Sequence, residues 1–257
     1  LPLAMGLPFE LVKDSGPTPD RPVHSAADLA RLNPEPHPDS YAHIRALLKK
    51  VKAELRGELP VIVFAGAPFT VATYCIGTGK HMAATRTFAA EQPAVWDGLL
   101  DRLTHATGMF LRTLIDDGAD VYQLFDSWAG MLTEPEYAKW ADSLHRTVLA
   151  SATGVPRILF VKECPYLDRM AASGAEVVSL GVQHDLAAAR AKYPHLVFQG
   201  NVDEAVLRTG TPEQVEAAVR ACRAAGGGSR HILNLNHGVG KETPVANFEA
   251  YIRAAKG

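Results

Sequence analysis

From residue 53 onward the apolar and polar positions repeat one phrase: a short apolar run, a polar or glycine-rich turn, then a segment with helical periodicity. The apolar runs fall at 61–65, 119–124, 157–161, 175–180, 196–199 and 231–235. They are rich in Val, Ile, Leu and Phe without strict alternation, the pattern of parallel strands covered on both faces. The segments between them carry helix signals. Thr211-Pro212-Glu213-Gln214 supplies an N-cap, a proline at the first helical position and a Gln at the third. Val215, Val219 and Cys222 then form one apolar stripe, and Gly226-Gly227-Gly228 ends the helix. Thr133 with Pro135 and Glu136 opens another helix in the same way.

Alternating strands and helices predict a parallel α/β fold. Neither Gly-x-Gly-x-x-Gly nor GxxxxGK[ST] occurs, so nucleotide-binding doubly wound folds lose their main support. GTGK at 77–80 is only a fragment of a phosphate loop. Polar residues gathered after apolar runs fit a (β/α)8 TIM barrel, which collects function at the C-terminal ends of its strands. Six runs are two short of eight. Residues 8–23 read as a turn-rich excursion around Asp14-Ser15-Gly16-Pro17, and 41–55 as a helix, so neither supplies a strand. The expectation is one (β/α)8-type domain over 1–257, N-terminally incomplete, with about two strands upstream of Leu1.

Three strand ends carry the candidate chemistry. In FAGAPFTVATYCIGTG (64–79) an apolar run ends in Ala-Gly-Ala-Pro and delivers Thr70, Thr73 and Tyr74 without a charge. Tyr74 is either a pocket residue or a buried Tyr whose hydroxyl meets the backbone. YQLFDSWAG (122–130) presents Asp126, Ser127 and Trp128; Asp126 is also suited to capping the next helix, and Trp128 to the core. Ser127 lacks the GxSxG elbow of a hydrolase nucleophile. In ILNLNHGVG (232–240), His237 sits among Gly238 and Gly240, which allow close backbone approach to a ligand. Together these residues contain no nucleophile-base pair, no metal cluster and no cofactor signature. A substrate carrying its own electron sink needs none of them.

The composition, 47% apolar over 257 residues, supports a substantial core. Lys and Arg number 26 against 28 Asp and Glu, a formal charge of −2 that argues against bulk nucleic-acid binding. Cys75, Cys164 and Cys222 are odd in number, without a CxxC or Cys/His pair, which fits a reducing cytoplasm and offers no zinc site. No apolar run approaches a membrane span or a signal peptide.

At these motifs the chain resembles the uroporphyrinogen decarboxylase family of haem biosynthesis. FAGAPFTVATY is similar to the family's Phe-(Ala/Ser)-Gly-(Ala/Ser)-Pro-Trp-Thr-x-x-x-Tyr block, with Phe69 where Trp is usual. QLFDSWAG, the QGNVDEAVL run from Gln199 and NLNHGVGKETP match further blocks in order, with Asn236 where Gly is usual. The resemblance covers essentially all of 1–257. It implies a cofactor-free carboxy-lyase that converts the four acetate arms of uroporphyrinogen III to methyls, giving coproporphyrinogen III. It also implies a cytoplasmic homodimer without nucleic-acid or membrane partners. Carried over, Tyr74 and Ser127 lie near the reacting acetate and His237 on a carboxylate side chain. The family's catalytic Asp and its Arg-containing N-terminal block have no counterpart here and are expected upstream of Leu1. The family's Asp-Trp block is replaced by Gly181-Val182-Gln183-His184, ahead of a retained Asp185. Lys80, His81 and Arg86 add local positive charge but read first as a solvated face.

Two other readings remain open. Related barrels transfer methyl groups between corrinoids and thiols on zinc, using His-x-Cys and a later Cys. Here that place reads Lys162-Glu163-Cys164, without the His. A non-catalytic barrel that only binds a tetrapyrrole is the second.

Overall fold

A computed structural model describes residues 1–12 and 16–257, in two compact units, Leu1–Arg157 and Ile158–Gly257. In the first, β1 (Phe9–Val12) and β2 (Gly16–Pro19) pair antiparallel, with Val12 opposite Gly16. This corrects the reading of 8–23 as turns alone; the Asp14-Ser15 part of that expectation lies outside the described residues. The strand pair leaves most of its side chains exposed, and β2 reads Gly-Pro-Thr-Pro. An arm that buries so little apolar surface leaves no hydrophobic alternation to detect.

The parallel strands form where the apolar runs predict them. In the first unit β3 (Ile62–Gly66) lies beside β4 (Val121–Asp126), in register from Ile62–Val121 to Gly66–Phe125. The expectation of burial on both faces fails at β3. Val63 and Ala65 are buried, whereas Ile62 and Phe64 are 47% and 65% exposed. Successive strand side chains point to opposite faces, and only one face of β3 is packed. Helices Pro68–Cys75, Met82–Glu91 and Pro93–Asp116 connect β3 to β4. The last buries a continuous stripe including Trp96, Leu99, Leu103 and Leu114. Phe69 stacks on Trp140 and meets Trp96 edge-on, with centroids 6.4 and 6.0 Å apart. The phenyl ring that replaces the family's Trp is therefore core.

The second unit, from Ile158, contains all of β5 (Arg157–Val161) but its first residue, with β6 (Val177–Ser179), β7 (Val197–Gln199) and β8 (His231–Ile232), each parallel to the next. β6 is buried throughout, as its unbroken apolar run requires. The capping box at Thr211 and Gln214 forms. Val215, Val219 and Cys222 are buried, and Gly227 closes that helix in the left-handed region at φ 65°.

Candidate active site

The turn after β3 requires Gly66: a Cβ there would stand 2.8 Å from Val71 Cγ2. Ala67 N–H donates to Phe125 O at 2.7 Å, and Pro68 starts the next helix, where its missing N–H costs nothing. Thr70 and Thr73 are thereby buried, and Tyr74 emerges one turn after Thr70, half-buried.

The end of β4 is organised by Asp126, fully buried at 0% exposure. Its Oδ1 accepts from the Thr70 hydroxyl at 2.7 Å, from Ala129 N–H at 3.0 Å and from Trp128 N–H at 3.3 Å. Its Oδ2 accepts from His145 Nε2 at 2.9 Å, the ring proton being assigned there because a carboxylate only accepts. His145 is 1% exposed, and its Nδ1 has no partner among the described residues. The Thr70 Oγ1 in turn accepts from Ser127 N–H at 2.9 Å and Trp128 N–H at 3.1 Å. Asp126 thus does cap the turn that follows it. Neither Thr70 nor His145 carried a sequence signal for this role: Thr70 stands only in a neutral run, and His145 lies in a helix (Ser143–Ser151) without a motif.

Tyr74 and Trp128 come together, with ring centroids 6.4 Å apart. They line a cavity of about 630 Å³ with β2, the 77–79 turn, Lys80 and His81. Tyr74 also borders an apolar pocket of about 320 Å³ with Leu1, Phe9 and Val71. The 77–79 turn is not a phosphate cradle: Gly77 N–H donates to Tyr74 O, and Thr78 and Gly79 N–H both donate to Thr73 O, each at 2.9 Å. These amides are spent on the end of their own helix. Gly79 sits at φ 49°, in the left-handed region that favours glycine, and a Cβ there would rest against the Tyr74 ring at 3.5 Å.

The three cations read from the sequence as a solvated face have different fates. Arg86 grips Glu136 with Nε and a terminal nitrogen at 2.8 and 3.0 Å. That pairing first of all holds the Glu136 carboxyl down at about 2. Lys80 and His81 instead line the cavity, and Lys80 has no ion-pair partner among the described residues. Ser127 stands half-buried beside Trp128, and neither its hydroxyl nor that of Tyr74 has a partner among the described residues.

His237 belongs to the second unit. It is half-buried, with Nδ1 2.9 Å from Gly238 O, which leaves Nε2 open. The flanking glycines do less than the sequence reading expects. Gly238 faces open space, and the place a Gly240 Cβ would take is filled by Glu204 Oε1 at 2.4 Å. Asn236, in place of the family's Gly, accepts from Glu204 N–H at 2.8 Å and is buried. The departing 181–184 block is tied into its own unit: Asn201 Nδ2 donates to Gly181 O at 3.0 Å and His184 O at 2.9 Å. Gln183 and His184 both reach Cys164 O, at 2.9 and 2.7 Å. Among the described residues no three His, Cys, Asp or Glu side chains gather as a metal site, and the three buried cysteines form no disulfide. Burial pushes the Cys75 thiol up to about 12.

The arrangement of strands and helices recurs in solved structures. A methyltransferase from Methanosarcina mazei superposes with a TM-score of 0.78 at 19% identity, over 100% of this chain and 77% of its own. A B12-independent methionine synthase from Shewanella sp. W3-18-1 does so at 0.60 and 10% identity, over 97% and 72%. These likenesses define an α/β protein of the (β/α)8-barrel class, and at such identities they show the fold alone. The family is given by sequence: the profile for Uroporphyrinogen decarboxylase (URO-D) matches residues 1–257. The uroporphyrinogen decarboxylase of Synechococcus sp. (strain CC9605) is 35% identical over 260 residues, 98% of this chain and 74% of the relative. That of Microcystis aeruginosa (strain NIES-843 / IAM M-2473) is 35% identical over 264 residues, 99% and 75%. The chain belongs to the uroporphyrinogen decarboxylase family.

Proposed function

We propose that this protein decarboxylates uroporphyrinogen III to coproporphyrinogen III without a cofactor. Protonation of a pyrrole ring carbon makes the ring a cationic electron sink. The bond from the acetate CH2 to its carboxylate breaks, CO2 leaves and its electron pair enters the ring. A proton added at that CH2 makes the methyl group, and the proton first taken up by the ring carbon is released to restore the pyrrole. Each of the four rounds therefore consumes one proton and frees one CO2. The observation carrying this reading is the cavity of about 630 Å³ where Tyr74 and Trp128 meet Lys80, which has no ion-pair partner among the described residues, in a chain of this family. Tyr74 and Ser127 offer free hydroxyls to the reacting acetate, while Lys80, His81 and His237 serve the substrate's other carboxylates.

The same reading treats 1–257 as one (β/α)8-type domain and expects a cytoplasmic homodimer; three buried cysteines without a disulfide support a reducing compartment. No helix among the described residues is long and apolar enough to cross a membrane. Kinetics of Tyr74→Phe test the site. Loss of one hydrogen bond made in the transition state, worth about 1.4 kcal/mol, lowers kcat about tenfold with the fold intact. Unchanged turnover would remove Tyr74 from the reaction.

A further inference from the structure

We infer that Thr70 is a positioning residue: its hydroxyl fixes the turn bearing Ser127 and Trp128 against the helix bearing Tyr74. One oxygen makes three contacts, donating to Asp126 Oδ1 at 2.7 Å and accepting from Ser127 and Trp128 N–H at 2.9 and 3.1 Å. Thr70 is 4% exposed; with its hydroxyl gone, Ser127 N–H loses this acceptor and Trp128 N–H keeps Asp126 Oδ1 at 3.3 Å. Tyr74 stands four residues on, over the same side of helix Pro68–Cys75. The hydroxyl therefore links the two backbones that carry the cavity's aromatic pair. His145 completes the strut from a third element: by binding Oδ2 it leaves Asp126 Oδ1 committed to Thr70 and the turn.

The Thr70 hydroxyl and both Asp126 carboxylate oxygens are used internally, whereas the hydroxyls of Ser127 and Tyr74 have no partner among the described residues. This division of labour is what a rigid support needs, since a reacting group held loosely by an ångström loses rate rather than binding.

The kinetic half of the inference rests on the decarboxylase reading; the other half does not. Thr70→Val keeps the side-chain shape and removes all three contacts, and Thr70→Ser restores the oxygen. In the protein assayed with uroporphyrinogen, Thr70→Val should lower kcat about tenfold or more while KM stays within about threefold, and Thr70→Ser should recover most of the loss. Labelling with 5-fluorotryptophan gives one fluorine resonance for each of the 3 Trp. Thr70→Val should displace or broaden that of Trp128 and leave Trp96 and Trp140 in place. A Trp128 resonance that does not move overturns the inference. So does equal disturbance of all three, which marks Thr70 as a fold residue only. Should the wild type not decarboxylate uroporphyrinogen, the enzyme reading falls while the Trp128 resonance still decides the strut.

Discussion

Lys80 and Arg86 carry the same charge six residues apart, yet their surroundings give them different work. Arg86 is held by both oxygens of Glu136, a residue fifty positions away, and is spent on structure. Lys80 opens into the cavity with no countercharge among the described residues. No local pattern separates them, because the partner that claims one comes from a distant element. His145 is hidden for the same reason: Asp126 finds it nineteen residues later, on a helix with ordinary periodicity. Tyr74, Ser127 and His237 could be singled out because each follows an apolar run, whereas their contact with substrate is a proposal. If Lys80 and His237 bind carboxylates rather than move protons, Lys80→Gln and His237→Asn should each raise KM about threefold or more, with smaller effects on kcat. For Lys80 the effect should shrink with added salt, which screens an exposed charge. Steady-state kinetics at two ionic strengths check this; a collapse of kcat at constant KM contradicts it.

Elements whose hydrogen-bonding logic is local were legible to the residue. The capping boxes at Thr133 and Thr211 both form where the sequence predicts them. Elements defined by what lies beside them were not: the β1–β2 pair has almost no buried face, and β3 packs on one face although its residues suit two. The capping box at Thr133 also has a pH signature. Glu136 accepts from Thr133 N–H at 2.8 Å while held by Arg86, and its carboxyl falls from the usual 4.5 to about 2. A depressed folded pKa contributes stability that is complete above about 4.5 and is lost as pH falls toward about 2. Glu136→Gln should therefore lower Tm at neutral pH and flatten the fall of Tm between pH 5 and 3 relative to wild type (roughly the window of the shift). Thermal unfolding followed across that range checks it, and parallel curves for the two proteins contradict it.

For the whole molecule, a formal charge of −2 and a polyanionic substrate are compatible only if positive charge is concentrated where substrate binds. Under the proposed function, the cavity beside Tyr74 and Trp128 offers such a charge in Lys80. The six parallel strands and family membership were legible from the repeated apolar runs and the blocks at their ends. The likeness to methyltransferases in fold, at 19% identity, makes the reaction itself the point to measure. The most direct measurement is an anaerobic assay of the protein with uroporphyrinogen in excess chelator, counting CO2 and identifying the porphyrinogen formed. The account predicts coproporphyrinogen with about four CO2 per substrate, at a rate the chelator does not change, because the substrate's own ring supplies the electron sink. Unreacted uroporphyrinogen, or turnover abolished by the chelator, would contradict it.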